Sequence, residues 1–240
     1  MSPFLAPFSP SYPGAVSLSV NSMSKISKYR DEITIYGSTN YKRKLSKNYR
    51  NIDLQKKIFL SQSKIYVKKF LEIQNQVKPN IIEVHNRPNY VKDLVSVNCK
   101  IVLYFHNDPI TMLGSKSILE RMYLLNTCSK IIFNSQWSKK RFLKDIDKIF
   151  YKSKKLQVIY QSTNKQKINL KNKKKIISFV GKLNKAKGYD IFASAIKKIL
   201  NKHKDWCAKV IGDEKREKIT LKHIRADILG FKKHNEVLDI

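Results

Sequence analysis

At 240 residues the chain has room for one large domain, or for one complete and one smaller unit, and its 42% apolar and 28% charged residues exclude a disordered polymer. The net charge of +31 accompanies an excess of Lys, Ile and Asn with only seven Gly and seven Pro. A Lys-coated, solvated surface accounts for it before a specific nucleic-acid footprint does, and clustered Lys gains about 1 kcal/mol per residue near an anionic membrane. No apolar run approaches the about 18 residues that span a bilayer. Residues 1–7 lack a basic region and are broken by prolines, so no signal peptide is expected. Cys99, Cys128 and Cys207 are odd in number and form no C-x-x-C pair, which argues against a zinc site or a disulfide framework and for a reducing cytoplasm.

In chain order, short Ile- and Val-rich runs alternate with longer amphipathic stretches, the pattern of a parallel sheet with crossover helices. An opening strand is expected at 4–6. The turn at 9–17 then feeds a helix, and Gly14 there lets the backbone approach a ligand while the helix start offers N–H groups to an anion. A tight turn after a first strand explains the same residues equally well. A strand is expected at 32–36. The stretch 53–77 reads as an amphipathic helix with Ile58, Ile65, Val67, Phe70, Leu71 and Ile73 buried, stopped by Pro79. Strands follow at 81–85, 101–106, 130–134 and 158–160, with helices at 117–127 and 135–147, the latter capped by Ser135 or Ser138.

Residues 162–175 are polar and aperiodic, which suits an interdomain linker. A new unit begins with a strand at 176–181 and continues with a helix at 189–200, a strand at 208–212, an apolar turn at 228–231 and a helix start at 235–240. This βαβ and the beginning of another repeat are too little to cover both faces of a parallel sheet, so a truncated second domain is expected, with the front also clipped.

Ligands of open α/β sheets bind beyond the carboxyl ends of strands. Four unusual segments fall there: His85-Asn86-Arg87-Pro88, His106-Asn107-Asp108-Pro109, Asn134-Ser135 and Gly181-Lys182. A lone strand-end His is more often structural, whereas two His-Asn pairs, each followed by a helix-starting Pro, converge on one rim. Gly114-Ser115-Lys116-Ser117 has the tail of a phosphate-binding loop, but the earlier Gly and the preceding strand are lacking.

In the segment 179–190 a strand ends in Gly181, Lys182 follows at once, Lys185 and Lys187 lie in a short loop, and Gly188 opens the next helix. This resembles the donor-diphosphate loop of glycosyltransferase family 4, whose GT-B fold has two facing Rossmann-like domains. Segments 9–17, 82–88, 103–109 and 131–142 resemble the same family in the same order, and the His-Asn-Arg-Pro and His-Asn-Asp-Pro versions look most like bacterial members that build lipopolysaccharide or other surface glycans.

The resemblance implies an α/β fold of two Rossmann-like domains. Residues 1–163 would be the acceptor-side domain, 164–175 the linker and 176–240 the incomplete start of the nucleotide-sugar domain. It implies retaining transfer of a sugar from a nucleotide-sugar donor to a glycan or lipid-linked acceptor, with no metal and no cofactor beyond that co-substrate. By the same resemblance Lys182, Lys187 and Gly14 hold the donor diphosphate, His106 faces the reacting sugar as the catalytic residue, and His85 and Arg87 contact the acceptor. Lys182 stands where Arg is commoner, so a point charge replaces a bidentate grip. The family's pair of glutamates lies further along than residue 240, so no transfer is expected from the sequence as it stands. Lys139, Lys140 and Arg141 are candidates for peripheral contact with an anionic membrane. The alternative is a non-catalytic basic module binding nucleic acid or anionic membrane. Its nucleic-acid form is disfavoured because Tyr and Phe fall within apolar runs and are not interleaved with Lys.

Overall fold

The computed structural model describes residues 7–54, 61–162, 171, 173–214, 217 and 219–238. The chain divides into two compact units, Met1–Thr163 and Asn164–Ile240. The strand expected at 4–6, most of the linker and the first part of the helix expected from residue 53 lie outside the described residues.

Unit 1 is built on a four-stranded parallel sheet, β3 (Ile81–His85), β4 (Lys100–Phe105), β5 (Lys130–Phe133) and β6 (Leu156–Val158), in sequential order. Parallel neighbours joined in sequence by right-handed crossovers place their connections on one face. Those connections are a Pro88–Tyr90 turn with α3 (Val91–Leu94), a Pro109–Thr111 turn with α4 (Ile118–Thr127), and α5 (Gln136–Phe142). They bury alternate strand residues: Ile82 and Val84, Ile101, Leu103 and Phe105, Ile131 and Phe133, and Leu156. The long amphipathic α2 (Gln62–Val77), capped by Ser61, adds Tyr66, Val67 and Phe70 to the same core.

A separate two-stranded parallel pair, β1 (Ile35–Gly37) and β2 (Tyr49–Asn51), packs with α1 (Ala15–Ile26). Phe8 stacks on Tyr49 at a centroid distance of 4.7 Å, and Val20 and Ile35 complete this smaller core.

Local chemistry sets the ends of these elements. Ser117 and Glu120 form a reciprocal capping box at the start of α4, and Ser115 donates to the Pro109 carbonyl at 2.6 Å. The Gly114–Ser117 segment is thus a helix-entry device, with Gly114 at φ +90° pressed against the Asn89 backbone. The helix expected over 135–147 ends at Phe142, because Asp145 takes a left-handed conformation (φ +62°), although Leu143 and Ile146 remain in the core.

Unit 2 is a three-stranded parallel sheet, β7 (Ile176–Val180), β8 (Cys207–Ile211) and β9 (Ala226–Ile228), with α6 (Tyr189–Lys202) and a short α7 (His234–Leu238). The helix buries Tyr189, Ala193, Ile196 and Leu200, one stripe at spacings of three and four, against Ala208 and Val210. Ser178 and Val180, on the opposite face of β7, are exposed.

The strands of unit 2 end in a row of glycines. Gly181 donates to the Ile211 carbonyl and Gly212 to the Gly230 carbonyl. At Gly212 (φ +139°) a Cβ would lie 1.8 Å from the Gly181 carbonyl oxygen, so any side chain there separates β7 from β8. Gly212→Ala is expected to destabilise unit 2 by about 2–4 kcal/mol. Urea unfolding followed through Trp206 in a Trp137→Phe background reads this directly, and an unchanged midpoint would contradict the contact.

Candidate functional site

The pleat decides which side chains of unit 1 can do chemistry. Because Ile82, Val84, Leu103, Phe105 and Phe133 face the helices, their neighbours Glu83, His85, Tyr104 and, past the strand end, His106 take the other face. His85 lies opposite Tyr104 in the ladder, and the Tyr104 and His106 rings stack at 4.4 Å and 12°.

These side chains form a continuous line. Glu83 Oε1 lies 3.0 Å from His85 Nε2, His85 Nδ1 lies 2.9 Å from His106 Nε2, and His106 Nδ1 lies 2.7 Å from the Gln161 amide nitrogen. His85 and His106 are buried, at 4% and 8% exposure. Burial pushes the His106 imidazole down to about 3, helped by the neighbouring His85 ring. It also lowers His85, against the opposing pull of Glu83. Burial raises Glu83, but the hydrogen bond and charge interaction with His85 leave it net below the usual carboxylate range.

Asn residues clamp the strand ends that carry the line. Asn86 adopts a left-handed conformation (φ +57°) that Asn tolerates better than most residues, and its Oδ1 accepts from the backbone N–H of His106 at 3.1 Å and of Asn107 at 3.2 Å. Asn134 Nδ2 donates to the His106 carbonyl at 2.8 Å, and its Oδ1 accepts from Ser138 at 2.6 Å. Each His-Asn pair thus supplies one ring, and the first supplies the clamp that aligns the second.

The remaining sequence-predicted residues of unit 1 divide. Arg87 is half-buried and donates to the Asn86 carbonyl at 2.9 Å. Gly14 is the N-cap of α1 at φ −74°, ψ 147°, a conformation open to any residue, so its left-handed freedom is not used. Arg141 is partly exposed and ion-paired with Asp108. Its Nε and Nη2 grip the Asp108 carboxylate at 2.7–3.2 Å, fixing α5 against the turn after β4.

In unit 2 the lysine-bearing turn is well defined. Gly181 (φ +154°) ends β7, Asn184 caps a Lys185–Lys187 helical turn by accepting from Lys187 N–H at 3.1 Å, and Gly188 (φ +71°) opens α6. Lys182, Lys185 and Lys187 are all exposed. Two carboxylates shape this turn: Asn184 Nδ2 donates to Glu214 at 3.0 Å and Lys185 N–H to Glu217 at 3.0 Å.

Sequence reasoning missed Glu83 and Gln161, and marked Asn86 and Asn134 at the strand ends without their part as clamps. Glu83 was within reach, since an acid two residues before a strand-end His shares its face. Gln161 had no local signal, because only folding brings it to His106. Among the described residues no group of three or more His, Cys, Asp or Glu is placed to hold a metal ion, and no helix is long and apolar enough to cross a membrane.

Residues 161–237 match the family described as glycosyl transferases group 1. The chain is 25% identical over 178 residues to a Bacillus subtilis (strain 168) protein named as a glycosyltransferase, YtcC, covering 65% of this chain and 43% of that one. It therefore spans less than half the length of this curated relative. Its fold is that of Anabaena Alr3699/HepE, solved with UDP and glucose (TM-score 0.66, 14% identity, 96% of this chain and 68% of that one). The same protein solved with UDP-glucose gives a TM-score of 0.65 at 15% identity, over 92% of this chain and 66% of that one. The S. aureus MnaA–UDP structure gives 0.57 at 12% identity, over 92% and 68%. The α/β architecture with parallel sheets is thus that of GT-B glycosyltransferases.

The depressed imidazoles link stability to pH. A ring whose folded pKa lies near 3 against an ordinary 6.5 binds its proton more readily in the unfolded chain. Folding stability is therefore full above about pH 6.5 and is lost as pH falls toward 3, by at most about 1.4 kcal/mol per pH unit for each ring. The urea midpoint of unit 1, followed through Trp137, is expected to drop between pH 7 and pH 5, and His106→Gln to flatten that slope. Equal slopes would refute the linkage.

Proposed function

We propose that this chain, whose residues 161–237 carry the glycosyl transferases group 1 signature, belongs to a retaining glycosyltransferase. It moves a sugar from a nucleoside-diphosphate donor to a glycan or lipid-linked acceptor in bacterial surface-polysaccharide or lipopolysaccharide synthesis. The observation that carries this reading is the turn from Gly181 to Gly188, where Lys182 and Lys187 stand exposed on a rigid strand-to-helix crossing. The neighbouring fold HepE, solved with UDP-glucose, supports a uracil-nucleotide donor.

In the reaction the bond between the anomeric carbon and the diphosphate oxygen breaks. A new bond forms to an acceptor hydroxyl oxygen on the same face of the sugar, and that hydroxyl's proton passes to an oxygen of the departing diphosphate. Negative charge grows on the departing diphosphate, and cations placed beside it lower the barrier. Lys182 and Lys187 have that task. His106 meets the reacting sugar as a neutral ring. His85 has both nitrogens engaged inside the sheet and acts through His106, which leaves Arg87 as the acceptor contact. The basic surface favours work at the cytoplasmic face of an anionic membrane.

UDP binding tests the reading. Addition of UDP is expected to shift the amide resonances of residues 181–189. Lys182→Ala and Lys187→Ala should each weaken binding about tenfold, or about 1.4 kcal/mol, while Lys204→Ala, on the exposed segment after α6, leaves it unchanged. Binding that ignores both loop substitutions, or no binding at all, would sink the proposal.

A further inference from the structure

The line Glu83–His85–His106–Gln161 has a direction, and only one of its ends can set it. An ionised carboxylate accepts hydrogen bonds and donates none, whereas a primary amide presents a donor or an acceptor by turning over. A neutral imidazole carries one N–H and one lone pair, so it passes on whatever polarity it receives. Glu83 is half-exposed and its carboxylate lies 3.0 Å from His85 Nε2, which places the His85 proton on that nitrogen. His85 Nδ1 is then an acceptor, and at 2.9 Å it takes the proton-bearing Nε2 of His106. His106 Nδ1 is left with its lone pair, facing the exposed Gln161 amide at 2.7 Å. Burial of both rings opposes the extra proton that would reverse the order.

We infer that Glu83 is a positioning residue: through His85 it fixes the tautomer of His106, so that His106 offers an unprotonated Nδ1 as a hydrogen-bond acceptor for a ligand hydroxyl. Gln161 holds that lone pair in the present structure and is the group a ligand displaces. An acceptor lone pair selects O–H donors and repels carboxylate and phosphate oxygens. The position therefore suits a sugar hydroxyl and rejects the diphosphate. The identity of the ligand rests on the transferase reading, whereas the tautomer does not.

Long-range nitrogen–proton correlation spectra of the full chain at neutral pH, with His85 and His106 assigned by single substitution, distinguish the tautomers without any nucleotide. Both rings are expected to be neutral and protonated at Nε2. Glu83→Leu should move the His106 Nδ1 signal from the unprotonated position to a value averaged between the two tautomers. Glu83→Gln, which retains an acceptor oxygen, should restore it in part. Gln161→Ala should leave it in place, because the amide follows the line and does not set it. A His106 protonated at Nδ1 in the unaltered protein, an unchanged spectrum in Glu83→Leu, or inversion in Gln161→Ala would overturn the inference. A protein that shows the expected tautomers yet binds no UDP would refute the transferase reading alone.

Discussion

The chemistry of unit 1 depends on the period-two pleat of a sheet whose crossovers all lie on one side. Helices that cover a single face claim every second strand residue for the core, and Val84, Leu103, Phe105, Ile131 and Phe133 fill those places. The alternate positions are then free to carry Glu83, His85, Tyr104 and His106. A slip of β4 by one residue would exchange Leu103 and Phe105 for Tyr104 and His106, so core packing and site geometry are held by the same register.

The polar groups on that face are tolerable because they are paired. An unbonded buried amide or imidazole costs on the order of 1–3 kcal/mol. Asn86, His85 and His106, each under 9% exposed, all have partners. Acids are few, 18 against 49 basic residues, so where they fall is informative. Asp108 grips Arg141, Glu120 closes a capping box, Glu214 and Glu217 shape the lysine turn, and Glu83 terminates the histidine line. With 18 acids for 49 basic residues, these engaged carboxylates mark places where local geometry is fixed.

Much of the fold was legible because long apolar runs and caps are local signals. The strand Ile81–His85 and the Ser117 start of α4 coincide with the sequence reading. The pair β1–β2 was only half seen, since Tyr49–Asn51 is three residues long and has no apolar run. The end of α5 was overshot because the buried Leu143 and Ile146 continue a helical spacing that the backbone abandons at Asp145. For the site, the sequence marked strand-end His-Asn pairs but not their mechanics. That Asn86 is a clamp depends on a left-handed backbone, and that His106 meets Gln161 depends on a contact 55 residues apart.

The lysine turn of unit 2 has its own internal logic. In phosphate-binding loops the anion is usually met by backbone N–H groups. Here six of the turn's N–H groups are engaged within the protein: Leu183 donates to Asp213, Asn184 to Lys182, Lys185 to Glu217, Lys187 to the Asn184 side chain, Gly188 to Lys185 and Tyr189 to Asn184. An anion arriving at this turn therefore meets ammonium groups on flexible stems, beside a backbone most of whose amides already have acceptors. Point charges at an exposed surface interact over about a Debye length, about 8 Å at physiological ionic strength, and are screened beyond it. Any grip this turn has on a diphosphate is thus electrostatic in origin. The carboxylates of Glu214 and Glu217 hold the backbone in shape while leaving the cations to make the contact.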